Sequence, residues 1–152
     1  MIFDNSTIAP GSSIIFRIPA QLKNTRLLGY SVHTLFDNLG FSETIVYQLE
    51  LALIEAANYI IKHAELAKDN AQISMKFSVM NDKVVCTFID QGKPVDFLQK
   101  KSSTDTVTNV ESLPVSKRGL HIVCDVMDKV SYTRSNGKNV LTLIKYFTRR
   151  HI

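Results

Sequence analysis

The chain has 152 residues, 45% of them hydrophobic and 21% charged, which suits one globular domain with a core of its own. Its 18 basic and 14 acidic residues leave a net charge of +4. That charge is mild, and it is scattered apart from Lys100-Lys101 and Arg149-Arg150, so the balance does not mark a nucleic-acid binder.

The opening M-I-F-D-N-S-T-I-A-P lacks the basic-then-apolar layout of a secretory signal. No uninterrupted apolar run reaches the ~18 residues that would span a bilayer. Cys86 and Cys124 lie in apolar runs, as buried free thiols of a reducing compartment do. The four histidines show no ligand spacing with the cysteines, which argues against structural zinc. Together these features predict a single cytoplasmic domain over residues 1–152 with no membrane or nucleic-acid partner.

Ser12 to Ile18 is β-rich and stops at Pro19, which predicts a first strand at a sheet edge. From Ala20 to Leu39, apolar residues recur at three- and four-residue spacing, predicting an amphipathic helix closed by Gly40. Ser42 is a candidate N-cap for a second helix over residues 43–67, with Glu43 favourable in its first turn. On that helix Ile45, Leu49, Ala52, Leu53, Ala56, Ile60 and Ala64 share one face.

Ile73, Met75, Phe77 and Val79 then alternate with other residues, Asn81-Asp82 signals a turn, and Val84 to Ile89 reads as a central strand. Between Asp90 and Lys117 periodicity is lost, and a loop this long in a compact domain is usually functional. Arg118 to Met127 reads as a short helix. Two strands follow, Lys129 to Arg134 and Asn139 to Phe147, joined through the Asn136-Gly137 hairpin signal. The expected fold is an α+β two-layer sandwich, a mixed or antiparallel sheet with helices on one face.

Four features carry chemistry. Glu55 lies on the flank of the second helix's apolar face, with Tyr59, Lys62 and Leu66 continuing that flank. A carboxylate there borders a cleft, although a solvated helix-edge glutamate paired with Lys62 or Tyr59 has the same pattern. The run D-Q-G-K-P-V-D, Asp90 to Asp96, puts an Asp at a strand end with Gly92 two residues on. That arrangement lets a carboxylate accept from an exocyclic amine, and it also makes an ordinary strand-to-loop turn.

The run S-K-R-G-L-H-I-V, Ser116 to Val123, sets Gly119 at the mouth of a helix whose free N–H groups favour an anion, with Lys117 and Arg118 adding charge. The alternative there is a normal helix start. Thr142, between Leu141 and Leu143, reads as an inward hydroxyl or simply a good strand former.

The order of these features resembles the Bergerat-fold, histidine-kinase-like ATPases, and within them the anti-sigma-factor serine/threonine kinases of bacterial partner-switching systems. The carrying motifs are E-A-A-N-Y-I-I-K-H-A (55–64), D-Q-G-K-P-V-D (90–96), K-R-G-L-H-I-V-C-D-V-M-D-K-V (117–130) and N-V-L-T-L-I-K (139–145). The resemblance implies a protein kinase using ATP and Mg²⁺, with Glu55 as general base. It implies nucleotide contacts from Asp90, Gly92, Lys62, Arg118, Gly119, Leu120 and Thr142, and an ATP lid over residues 97–117.

Two positions depart from the family pattern. Tyr59 stands where the family carries its metal-binding asparagine, with Asn58 adjacent as the substitute candidate, and Lys117 stands where the family often has glycine. The implied partners are a STAS-domain anti-anti-sigma protein, a sigma factor, and a second copy of the chain in a homodimer. Two alternatives stand beside the kinase: a nucleotide-binding module that regulates by sequestering a sigma factor or STAS partner, and a ligand-binding sandwich with no nucleotide.

Overall fold

A computed structural model describes residues 11–66, 70–95 and 115–148. Five strands, β1 (Ser13–Pro19), β2 (Gln72–Val79), β3 (Lys83–Asp90), β4 (Lys129–Ser135) and β5 (Lys138–Tyr146), form one sheet in the order β1-β2-β3-β5-β4. Every pairing is antiparallel. Helices α1 (Thr25–Asn38), α2 (Glu43–His63) and α3 (Val115–Val126) supply the second layer.

The strand boundaries follow local chemistry. Among the described residues β1 pairs only with β2, and it ends at Pro19, where a residue without an N–H is tolerated at an edge. The hairpin between β4 and β5 turns on Asn136 and Gly137, both at positive φ (50° and 74°). Two successive positive φ values make a type I′ turn, whose twist matches that of its strands.

The helix expected from Ala20 begins later. Leu22–Asn24 is a 3₁₀ turn, the Thr25 hydroxyl donates to the Leu22 carbonyl, and the α-helix proper starts at Thr25. Its end is a Schellman motif. Gly40 has φ 77° and its N–H donates to the Asp37 carbonyl, while the Phe41 N–H donates to that of Phe36. The apolar contact that accompanies this motif is edge-to-face Phe36–Phe41, with centroids 5.2 Å apart.

α2 is the central helix, lying between α1 and α3. Leu49, Ala52, Leu53, Ala56 and Ile60 are fully buried against the sheet residues Ile73, Met75, Phe77, Val84, Phe88, Leu141 and Leu143. Ser42 caps its start, with the Ser42 hydroxyl accepting from the Ile45 N–H at 3.4 Å. By length and composition α2 passes as a membrane span, but this is the helix around which the core is built, so its apolar character is spent inside the fold.

α2 ends at His63, short of the expected Ala67, and the reason is tertiary. The Ala64 carbonyl accepts from the Lys93 N–H at 3.1 Å, so a distant loop takes the place of the next helical turn. Glu65 then adopts φ 54° and the chain leaves the helix.

Candidate functional site

Asp90 closes β3 on the helix side of the sheet and is 4% exposed. Its Oδ1 accepts two hydrogen bonds at 2.8 Å, one from the Gly92 N–H and one from the Asn139 amide. Asn139 is directly opposite Asp90 in the β3–β5 register. Its nitrogen also donates to the carbonyls of Gly92 (3.0 Å) and Lys93 (3.3 Å), and its oxygen accepts from the Arg134 guanidinium at 2.6 Å. Arg134 donates again to the Gly92 carbonyl, and the Val95 N–H donates to the Tyr132 hydroxyl.

Residues 92–95 therefore form a shelf whose backbone is tied to β4, β5 and α2. Gly92 is required by packing: a Cβ would lie 2.5 Å from the Ala64 carbonyl oxygen and 2.7 Å from Leu66. Glycine here thus permits a close approach to the end of the chain's own α2.

Glu55 is half-buried on α2, at its contact with α3. A Cβ on Gly119 would overlap the Glu55 Oε2 atom, so glycine lets the two helices bring that carboxylate against α3. Gly119 is not at the helix mouth. α3 starts at Val115, one turn earlier, and the N–H groups without helical partners are those of its first turn. Val115 to Lys117, assigned to the lid from sequence, already belong to that turn, and residues 97–114 of the lid lie outside the described residues. Arg118 is exposed and already engaged in an interaction, and Leu120 packs against the core.

Tyr59, one turn along α2 from Glu55, is 8% exposed and its ring lies on that of His63, with centroids 4.2 Å apart. α2 is continuous from Glu43 to His63, so half-buried Asn58 stays about 100° round the helix from Tyr59. Lys62 is exposed on the same helix.

Mg²⁺ takes hard oxygens in near-octahedral geometry, and proteins hold it with one or two carboxylates plus substrate phosphates. Here the neighbouring donors are one carboxylate and one phenol. No cluster of three or more His, Cys, Asp or Glu suited to a metal occurs among the described residues. These side chains do not make a magnesium site of their own.

Thr142 falls elsewhere. Asn139, Leu141 and Leu143 of β5 are buried under the helices, so the alternate residue Thr142 points to the sheet's other face, opposite Thr87. The inward-hydroxyl reading is corrected by this register. That outer face carries an open cleft of about 1140 Å³ bordered by Arg17, Lys76, Lys93, Arg134 and Lys138. The cleft meets the shelf at Asp90 and Gly92 but does not reach Glu55 or Gly119.

Asp90 and Gly92 are thus brought together by the shelf, and Glu55 and Gly119 by the helix contact. The two pairs are joined by α2. Ala64, which holds the shelf, is nine residues from Glu55, or about 14 Å along a helix axis. Sequence reasoning missed Asn139, Arg134 and Tyr132. Asn139 opens the quoted motif N-V-L-T-L-I-K, but only the strand register reveals what it faces.

The family model for the histidine kinase-like ATPase domain matches residues 18–145. The chain belongs to that family. Among curated proteins it is 26% identical over 142 residues to a serine-protein kinase RsbW of Bacillus cereus strain G9842, covering 91% of this chain and 88% of that protein. It is 24% identical, with the same coverage, to the RsbW of Bacillus subtilis strain 168.

Two solved structures share the fold. One holds the RsbU and RsbW domains of a Mycobacterium tuberculosis protein (TM-score 0.64, 14% identity, 95% of this chain and 35% of that one). The other is the SiaB–SiaC complex of Pseudomonas aeruginosa (TM-score 0.60, 11% identity, 88% and 89%). The five-stranded antiparallel sheet under three helices is the α+β sandwich expected from the motifs.

Proposed function

We propose that this chain is an ATP-dependent serine/threonine protein kinase of the partner-switching type, acting in the cytoplasm on a STAS-domain antagonist of a sigma factor. The observation that carries this is the pairing along α2. A buried acceptor, Asp90, is fixed beside the shelf held by Ala64 at one end of the helix, and a half-buried carboxylate, Glu55, lies against α3 about 14 Å from Ala64 along the helix axis. That separation suits a nucleoside triphosphate laid along α2, its base at the shelf and its terminal phosphate toward Glu55. The RsbW names of the curated relatives support the same reaction class.

In this reading Asp90 accepts a hydrogen bond from the exocyclic amine of adenine. The first-turn N–H groups of α3 face the phosphates, where the helix dipole favours negative charge. Glu55 takes the proton from a serine or threonine hydroxyl as that oxygen attacks the γ-phosphorus. The bond from the γ-phosphorus to the bridging oxygen breaks and ADP leaves. Positioning and charge stabilisation supply most of the rate in such transfers. Mg²⁺ fits only as an ion carried by the nucleotide's phosphates and water, and no step here runs through it.

The test uses γ-labelled ATP, Mg²⁺ and a STAS-domain protein. Label reaching the STAS protein, and falling at least about 100-fold in Glu55→Gln, is the expected result for loss of a general base. Label that persists undiminished in Glu55→Gln overturns the role of Glu55.

One observation favours a second reading. Tyr59 is buried against His63, one turn along α2 from Glu55, which suits a nucleotide-gated binding module that sequesters its partner without phosphorylating it. No label from wild type, with label appearing in Tyr59→Asn, selects that reading. ADP at ~100 times its Kd stabilises either form by about 2.7 kcal/mol, and a flat thermal shift excludes both.

A further inference from the structure

We infer that Asn139 and Arg134 are positioning residues that set the base specificity of the site by fixing which oxygen of Asp90 meets the ligand. The inference rests on the reading of Asp90 as the base-recognition carboxylate.

The Asn139 side chain is 1% exposed, and the orientation of its amide is settled by its neighbours. One end faces Asp90 Oδ1 and the carbonyls of Gly92 and Lys93, all acceptors. The other end faces the Arg134 guanidinium, a donor without acceptor capacity. With the amide reversed, its oxygen would meet three acceptors and its NH₂ would meet a donor. Arg134 thus locks Asn139 as a donor toward Asp90, and its second bond, to the Gly92 carbonyl, holds the shelf at the same point.

The consequence falls on Asp90. Both hydrogen bonds it receives from the described residues go to Oδ1, from Gly92 and Asn139. No buried side-chain oxygen or nitrogen among the described residues lacks a partner. Oδ2, which receives none, therefore keeps its opening to the outside. An ionised carboxylate accepts and does not donate. With Oδ1 taken and χ2 fixed by two donors, Asp90 offers one aimed acceptor. A 6-amino purine satisfies it; a purine lacking that amine leaves it unpaired, and a 6-oxo purine sets an acceptor against it. Release of Asn139 frees the carboxylate to turn and weakens that distinction.

The test is a comparison of ligands, because loss of structure alone would weaken all nucleotides together. The dissociation constants of ADP and purine riboside diphosphate, which lacks only the 6-amino group, are measured on wild type, Asp90→Asn, Asn139→Ala and Arg134→Ala. Wild type is expected to prefer ADP by about tenfold or more, the cost of leaving a buried acceptor unmade. Asn139→Ala is expected to cut that preference to about threefold or less, with a smaller drop in Arg134→Ala because the guanidinium acts through Asn139.

Arg134 is exposed, so its variant reports even where Asn139→Ala fails to fold. Equal weakening of both ligands, or an unchanged preference in both variants, overturns the inference. An unchanged preference in Asp90→Asn instead overturns the base-recognition reading beneath it. Preference lost in Asp90→Asn but kept in the Asn139 and Arg134 variants overturns only the positioning role.

Discussion

At the Asp90 end of the site, the backbone of Gly92, Lys93 and Val95 is tied to α2, β3, β4 and β5 by six hydrogen bonds. At the Glu55 end, a single carboxylate on α2 lies against a single glycine of α3. The first arrangement is held by strand register and tolerates little movement. The second depends on how closely two helices approach, which a single atom can change. In the proposed kinase, such a site would hold the base on a rigid support and leave the reacting end adjustable by whatever contacts α3. Substitutions at the two ends should therefore separate into losses of stability with binding and losses of rate alone.

The largest expected effect sharpens the comparison from below the shelf. Cys86 lies four residues before Asp90 on β3, and burial pushes its thiol from 9.0 up to about 12. The folded state therefore holds this proton more tightly than the unfolded state. Its contribution is complete below pH 9 and is lost as pH rises from about 9 to about 12, a loss on the order of 4 kcal/mol over that window. Urea melts across that range should show it, and Cys86→Ala, although less stable at neutral pH, should show a flatter decline. Equal slopes would refute the assignment.

Gly119→Ala attacks the adjustable end. The added Cβ meets the far end of the flexible Glu55 side chain, so the carboxylate turns aside and the fold survives. Phosphotransfer should fall about 100-fold, as when a catalytic group is displaced, with ADP affinity and melting temperature nearly unchanged. A matching loss of ADP affinity would show that the two ends are not separable.

Gly92→Ala attacks the rigid end. Its Cβ meets backbone at Ala64, which cannot swing away, so overpacking should cost about 1–3 kcal/mol and weaken ADP with it. Thermal melts and ADP titration check both. The smallest effect is expected from Ser42→Ala, remote from either end. Its capping hydrogen bond is long at 3.4 Å, so the loss should be about 0.5 kcal/mol with ADP binding intact.

Much of this architecture was legible in the residues. Pro19, Gly40, Ser42 and Asn136-Gly137 each act through their own backbone preference, so the elements that they bound were placed within a few positions. Glu55 and Asp90 were legible as candidates because a carboxylate on an apolar flank, or at the end of an apolar strand, is costly without a use. Their roles rest on the order of four motifs, none of which is distinctive alone.

What was not legible involves partners distant in sequence. The end of α2 at His63 depends on Lys93, the contact of Glu55 on Gly119, and the aim of Asp90 on Asn139 and Arg134. The facing of Thr142 stayed open for the same reason: alternation tells which residues share a face, but only packing tells which face the helices cover.

By itself, then, the sequence determined the elements, their order and the family, because capping, turn and periodicity preferences act between residues a few positions apart. Only the tertiary structure decided which oxygen of Asp90 is occupied and which carboxylate meets α3. Both depend on strand register and helix approach, set by burial of the whole core rather than by any local run of residues.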